Sequence, residues 1–170
     1  MILAIKTILV PTDFSENSHG ALQFAEALAR QFGATLHLVH VCQPTTLATG
    51  GVDAAFISLP DVEEETRTAA MAEASKLAST LTGLPTTTEI AFGSPAACIV
   101  AAAVEHGVDL IVMGTHDRGP IMHMVLGSVA ERVVRTAPCP VLTVREPRAP
   151  IAATALQVFA DATAAGGAAL

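Results

Sequence analysis

The sequence has few cysteines, a low positive charge and no long apolar segment, and each shortage excludes a class of protein. Its three cysteines, Cys42, Cys98 and Cys139, are odd in number and widely spaced, so we expect no disulfide framework and a reducing, cytoplasmic setting. No apolar run approaches the roughly 18 residues that a membrane span needs, and the N-terminus does not resemble a signal peptide. The net charge of −7 argues against a sequence-independent nucleic-acid binder. We therefore expect neither a membrane nor a nucleic-acid partner.

What is present is an alternation of strand and helix signals in a chain of 170 residues, long enough for one domain with a proper core. Short apolar or alternating runs bounded by turn residues predict five strands. They cover residues 7–10, 35–41, 86–92, 110–113 and 141–144. Between the second and third strands, residues 43–60 show little periodicity and are predicted to be a loop.

Four helices are expected between these strands because each candidate segment begins with residues that can cap a helix. The N-terminal signals are Ser15, the capping-box pair Asp61 and Glu64, Ser94 ahead of a proline, and Gly127-Ser128. The signals that end the four helices are Gly33, Gly83, Gly107 and Pro138. Helical spacing predicts a core-facing side for the first helix at Ala21, Phe24, Ala25 and Leu28, and for the last at Val129, Val133 and Val134.

Five strands interleaved with four helices imply an α/β fold, a parallel sheet with helices on both faces. Right-handed crossovers leave few topologies, but the pattern alone does not fix the strand order. In such a sheet, ligands bind beyond the carboxyl ends of the strands, where the winding reverses.

One stretch, LIVMGTHDRGPIMHMVLGSVAERVVRTAPCPVLTVR, covers residues 110–145 and reads as strand, glycine-bearing loop, helix and strand. A glycine loop ahead of a helix leaves backbone N–H groups free beside the positive end of the helix dipole. This arrangement is the physical basis of a phosphate site.

The same stretch resembles the signature of the universal stress protein family, whose nucleotide-binding members carry G-x2-G-x9-G-(S/T) in this loop. Gly114, Gly127 and Ser128 match, whereas Asp117 stands at the second glycine. The flanking GSVAERVVRTAPCPVLTVR and the N-terminal ILVPTDFS also follow the family. The resemblance covers roughly residues 5–146. It predicts one domain over 1–146. The composition then changes to an alanine-rich tail at 147–170, which is interpreted as either a docked helix or a disordered segment.

The resemblance implies a Rossmann-like, doubly wound five-stranded sheet of order 3-2-1-4-5, and a crevice between strands 1 and 4. It also implies that ATP or another adenine nucleotide binds there, with or without Mg²⁺. The residues carried over from the family are Pro11, Thr12, Asp13, Val41, Met113, Gly114, Asp117, Gly127, Ser128, Val129 and Ala130.

Each of these residues also has a purely structural interpretation. Asp13 could cap the first helix, Val41 could belong to the core, Gly114 could form a strand-ending turn, and Ser128 could cap the last helix. The argument for a nucleotide site rests on their convergence at one predicted crevice.

The sequence does not settle whether a nucleotide binds, because Asp117 stands at a glycine position of the phosphate-binding motif. Two like unit charges about 5 Å apart repel by roughly 3 kcal/mol at an effective dielectric constant of about 20, which is about a hundredfold in affinity. The repulsion is offset if Asp117 holds a divalent cation or if Arg118 reaches the phosphates. A loop re-routed through Gly119 is a further alternative.

Other chemical candidates are weaker. His116 and His123 bracket the loop with no zinc-binding pattern, so we predict exposed loop histidines and no metal site. His40 and Cys42 are interpreted as core or rim packing, and Cys98 and Cys139 as small buried groups. No G-x-S-x-G elbow is present and no catalytic residue is predicted. Slow ATP hydrolysis at the glycine loop is the one reaction that the sequence motivates.

The last strand, Val141–Val144, would be an unprotected edge in the family's strand order. Antiparallel pairing with the same strand of a second copy removes that edge, and the resemblance also implies a homodimer of this kind. We therefore predict an ATP-binding homodimeric stress-response module. The alternatives are a nucleotide-free dimer that acts through protein partners, and a slow ATPase.

Overall fold

The computed structural model describes residues 4–43, 60–115 and 126–145. These residues form five strands and four helices in alternation. The elements are β1 (Thr7–Pro11), α1 (Glu16–Phe32), β2 (Thr35–Cys42), α2 (Pro60–Thr80), β3 (Thr86–Phe92), α3 (Pro95–Glu105), β4 (Leu110–Gly114), α4 (Ser128–Thr136) and β5 (Val141–Val144). The strands form one parallel sheet in the order β3-β2-β1-β4-β5. The predicted fold and strand order are therefore confirmed.

The strand β1 lies at the centre of the sheet, where Ile8 pairs with Leu36 of β2 on one side and with Leu110 of β4 on the other. Its three central residues, Ile8, Leu9 and Val10, have no solvent exposure. A continuous apolar run is needed here because the strand is covered on both faces.

Alternate strand residues point to opposite faces and build two cores. Ile8, Val10, Leu36 and Leu38 pack with the α1 alanines Ala21, Ala25 and Ala29 on one face. On the other face the strands pack with α3 and α4. That core contains Leu9, Val39, Ile111 and Met113 of the strands, Ile99 and Ala103 of α3, and Ala130 and Val133 of α4. The helices that follow β1 and β4 therefore cover opposite faces, as a doubly wound sheet requires.

The caps of α1 are those that the sequence predicts. The Ser15 side chain accepts a hydrogen bond from the backbone N–H of Ser18, and Gly33 adopts the left-handed conformation with φ of 66°. At α3, Ser94 is in the N-cap position, but its side chain makes no capping hydrogen bond. Helix α2 begins at Pro60, one residue before the predicted Asp61.

Two predicted core residues are wrong. Phe24 is 46% exposed and Val134 is 49% exposed. Each lies one position from a fully buried residue, Ala25 and Val133 respectively. Since successive helical residues are about 100° apart around the axis, these two side chains lie at the flank of the buried stripe.

The cysteine prediction holds in part. The structure records Cys42, Cys98 and Cys139 as free thiols, but only Cys42 is buried and the other two are half-buried. The predictions for most of the loop at 43–60, for His116, Asp117, Arg118 and His123, and for the tail at 147–170 lie outside the described residues. Among the helices that the structure describes, none combines the length and apolar character needed to cross a membrane.

Candidate functional site

A cavity of about 610 Å³ lies at the carboxyl ends of β1, β2 and β4, where the winding of the sheet reverses. Nine of the eleven predicted site residues line it. They are Pro11, Thr12, Asp13, Val41, Met113, Gly114, Gly127, Val129 and Ala130. Ser128 is exposed and is not among the lining residues, and Asp117 lies outside the described residues. The structure therefore brings together residues that are more than a hundred positions apart, while their roles stay predictions.

Thr12 fixes the backbone where β1 ends. Its backbone N–H donates to the carbonyl of Val39 at 2.9 Å, and its Oγ1 accepts from the N–H of Phe14 at 3.1 Å. The Thr12 hydroxyl donates to Ser18 Oγ at 3.2 Å, because the Ser18 hydroxyl is itself the donor to the Ser15 carbonyl at 2.8 Å. Thr12 is buried and holds β1, β2 and α1 together, so it shapes the cavity wall through its own hydrogen bonds.

Asp13 lines the cavity and is held in place by local hydrogen bonds. Its Oδ1 accepts from the backbone N–H of Ser15 at 3.0 Å and also from the Ser15 hydroxyl. The N-cap of α1 is Ser15, so the alternative that Asp13 caps this helix is wrong. The carboxylate is instead a fixed hydrogen-bond acceptor on the cavity wall.

Ten of the residues that line the cavity are not among the predicted site residues, and Phe14 and His40 are two of them. Phe14 has a φ of 60°, a conformation that is costly for a bulky side chain. Its ring stacks on that of His40, with centroids 4.3 Å apart and an interplanar angle of 24°. The sequence signal was their position, since each is next to a predicted site residue at the end of a strand.

The sequence predicts core or rim packing for His40, and in the structure this residue is half-buried and lines the cavity. Its Nδ1 lies 2.8 Å from the carbonyl oxygen of Thr12. Because a carbonyl only accepts, Nδ1 carries a proton and donates to it, and Nε2 is an acceptor when the ring is neutral. The ring thus adds a flat, polar surface to the wall of the cavity.

The remaining wall is largely apolar. Val39, Ile99 and Met113 are buried side chains of the second core that also line the cavity. Val41 is half-buried, packs against the same core and lines the cavity. Its two interpretations, core residue and site residue, are therefore compatible.

The N-terminus of α4 forms another side of the cavity. Gly127 is its N-cap, so the alternative in which Ser128 caps this helix is wrong. The N–H of Gly127 donates to the Thr115 carbonyl at 2.7 Å, which ties the helix start to the end of β4. A glycine cap has no side-chain acceptor, and the first N–H groups of a helix, here including those of Val129 and Ala130, have no partner within the helix. An anion in the cavity would meet these donors and the positive end of the helix dipole.

Cys42 is a further lining residue, at the end of β2. Burial raises the pKa of its thiol, and the positive charge of Arg67 offsets part of that effect. The thiol is therefore protonated at neutral pH and is a poor nucleophile. This side chain contributes packing to the cavity.

A model of the universal stress protein family matches residues 4–145. The "Universal stress protein in QAH/OAS sulfhydrylase 3'region" of Thermus aquaticus is 38% identical over 143 residues, which are 82% of this chain and 98% of that protein. The chain belongs to the universal stress protein family.

Solved structures agree. The universal stress protein UspA from Lactobacillus plantarum is 30% identical, with a TM-score of 0.65 over 83% of this chain and 98% of that one. Another universal stress protein, crystallised in complex with cAMP, is 26% identical, with a TM-score of 0.60 over 84% of this chain and 98% of that one.

Proposed function

We propose that this chain binds an adenine nucleotide, ATP in the first instance, in the cavity between β1 and β4, and acts as a stress-response module. The observation that carries the proposal is the convergence of three kinds of surface on one cavity of about 610 Å³. These are a polar strand exit at β1, an apolar wall, and a helix N-terminus. The volume is within the range of small-molecule sites, roughly 300–1,000 Å³.

The base and the sugar fit the β1 and β2 side of the cavity. Val41 and Met113 offer apolar surface to a flat base, and the Nε2 of a neutral His40 ring offers an acceptor to an amino group. The Asp13 carboxylate is placed to accept hydrogen bonds from ribose hydroxyls, as acidic residues do in other doubly wound nucleotide sites.

The phosphates fit the start of α4. The backbone N–H groups of Val129 and Ala130 and the helix dipole supply positive potential at the cavity. Asp117, at the second glycine position of the family's loop motif, opposes this potential unless a divalent cation such as Mg²⁺ bridges it to the phosphates. The relative crystallised with cAMP supports an adenine nucleotide as the ligand class.

Calorimetric titration tests the proposal. ATP and cAMP are titrated into the full chain, with and without Mg²⁺, beside Asp13→Ala and Asp117→Gly variants. We expect micromolar ATP binding by the native chain, at least tenfold weaker binding by Asp13→Ala, and binding up to about a hundredfold tighter by Asp117→Gly in the absence of Mg²⁺. An exposed Glu105→Ala variant is the control and should bind as the native chain does.

Failure of the native chain to bind either nucleotide contradicts the proposal. Binding by Asp117→Gly alone then means that the pocket is intact and is closed to nucleotides by one carboxylate. Binding by no variant favours the nucleotide-free alternative that acts through protein partners. Phosphate release in the same samples tests the slow ATPase alternative.

We also propose that the module is a homodimer formed through β5. This strand is at the edge of the sheet, and its four residues are half-exposed. The Pro140 carbonyl accepts from Ile111 of β4, and the Val144 carbonyl accepts from Thr115, which directly follows β4. Because alternate residues of a strand direct their backbone groups to opposite sides, those of Thr143 are directed to the open edge.

A proline at position 143 removes one edge donor and leaves the β4 pairing intact. We expect Thr143→Pro to be a monomer by light scattering at concentrations where the native chain and Thr143→Ala are dimers. A native chain that is monomeric at those concentrations contradicts this part of the proposal.

A further inference from the structure

Three side chains that can bind metal ions meet outside the cavity. They are His37 of β2, Glu89 of β3 and His106, which directly follows α3. The Nε2 of His37 is 3.0 Å from Glu89 Oε2, and the Nε2 of His106 is 3.1 Å from the same oxygen. One ligand atom from each residue lies within 4.8 Å of the other two. None of the three residues lines the nucleotide cavity.

We propose that His37, Glu89 and His106 form a binding site for a divalent transition-metal ion of the Zn²⁺ type. Imidazole nitrogen and carboxylate oxygen are ligands that Zn²⁺ accepts, at about 2.0–2.2 Å. Two ligand atoms on one tetrahedral ion are then about 3.3 Å apart. The two observed Nε2–Oε2 separations, 3.0 and 3.1 Å, are within a few tenths of an ångström of this value, and the ligand atoms of the two histidines lie within 4.8 Å of each other.

The buried histidine is already oriented for this role. His37 is 5% exposed, and its Nδ1 is 2.7 Å from Thr87 Oγ1. The Thr87 hydroxyl also has the Leu36 carbonyl as an acceptor, at 3.5 Å. When the Thr87 hydroxyl donates to the Leu36 carbonyl, Thr87 Oγ1 accepts a hydrogen bond from Nδ1–H of His37. The proton of the neutral ring is then on Nδ1, and the lone pair of Nε2 is directed at the ion. Such support of the other ring nitrogen is the usual arrangement for a metal-binding histidine.

The arrangement around Glu89 also favours a cation. Both histidines direct Nε2 at the same carboxylate oxygen, and their rings are in contact, with centroids 4.1 Å apart. An ion at this position binds the unprotonated Nε2 of each ring together with Glu89, and a proton that either Nε2 shares with the carboxylate is released to solvent. The Glu89 and His106 side chains are 30% and 38% exposed, so an ion can enter from solvent and retain a water ligand.

The bound ion would tie the end of α3 to β2 and β3. The start of this helix, at Pro95 and Ile99, lines the nucleotide cavity, and His106 is seven residues after Ile99, or about 10 Å along the helix. The metal site therefore supports the helix from the end opposite to the cavity and is separate from the nucleotide site.

Titration of Zn²⁺ into the full, reduced chain tests the proposal by calorimetry and by the change in Tm. We expect one ion per chain with a micromolar or lower Kd, and a Tm that rises with Zn²⁺ concentration. His106→Asn and Glu89→Gln should each weaken binding at least tenfold and reduce the rise in Tm. The matched control is His19→Asn, at an exposed histidine of α1, which should bind as the native chain does. Asparagine is acceptable at the end of a helix, so His106→Asn keeps the fold.

Other zinc ligands in the sequence require a second comparison. A His116→Asn, His123→Asn double variant should bind Zn²⁺ normally, and Co²⁺ in the site should show no thiolate charge-transfer band. The proposal is overturned if the native chain binds no Zn²⁺, or if His106→Asn and Glu89→Gln bind it unchanged. It is equally overturned if the double variant loses binding or if the thiolate band appears.

Discussion

Asp109 joins the starts of β1 and β4 through one carboxylate. Its Oδ2 accepts the backbone N–H groups of Lys6 at 2.8 Å and Thr7 at 3.0 Å. Asp109→Ala removes the acceptor for both, so we expect a loss of about 1–2 kcal/mol in the free energy of unfolding, measured with urea. Asp109→Asn keeps an oxygen acceptor and should lose about half as much.

Glu105→Ala, at an exposed position, is the control and should change the free energy of unfolding by less than about 0.5 kcal/mol. Equal effects of Asp109→Ala and Glu105→Ala would contradict this prediction.

At the scale of residues, the sequence predicts positions better than contacts. Asp13 and Gly114 follow strands 1 and 4, which are neighbours in the strand order that the family resemblance implies, so both were expected at one crevice. Val41 was carried over from the family and also lines the cavity. The stacking of Phe14 on His40 was not predictable, because it depends on a positive φ and on a ring orientation. The contacts of Glu89 with His37 and His106 join residues 52 and 17 positions apart. Nothing in their spacing resembles a metal motif.

Two serines at helix starts provide a matched test at the scale of elements. Ser15 Oγ accepts from the N–H of Ser18 and also donates to Asp13, whereas Ser94 makes no side-chain capping bond. We expect Ser15→Ala to lower the free energy of unfolding by about 1 kcal/mol and Ser94→Ala to change it by less than about 0.5 kcal/mol. Both are measured by urea denaturation without nucleotide, because Ser15 lines the cavity. A larger loss for Ser94→Ala would show that the local sequence, rather than the observed bond, determines capping energy here.

The helices and strands could be predicted because turn-forming residues lie between them in the sequence. Gly33 ends α1 at φ of 66°, as expected from its position. The predictions of burial for Phe24 and Val134 are wrong because these side chains lie at the edge of the buried stripe of their helices. Apolar character alone does not indicate whether a residue at that edge is buried or exposed. The order of the strands required the family resemblance, because alternation of strands and helices is compatible with several doubly wound sheets.

At the scale of the whole molecule, the cysteines determine how stability responds to alkaline pH. Burial raises the pKa of the Cys42, Cys98 and Cys139 thiols, with further increases from Glu89 at Cys98 and from Asp109 at Cys139, and a partial offset from Arg67 at Cys42. A thiol in the unfolded chain titrates near pH 8.5. The chain has no tyrosine and only two lysines, so few other side chains titrate between pH 8 and 10.

As the pH rises through this range, the unfolded chain loses its thiol protons before the folded chain does. The stabilising contribution is therefore complete below about pH 8.5 and is lost as the pH passes through the folded pKa values. We expect the free energy of unfolding, measured with urea under reducing conditions, to fall steadily from pH 8 to pH 10. A Cys98→Ala variant removes one of the three groups and should show a shallower fall over the same range, whatever its stability at pH 7. A native chain whose stability is constant to pH 10, or a variant with an equally steep fall, would mean that the thiols ionise as readily in the folded sheet as in the unfolded chain.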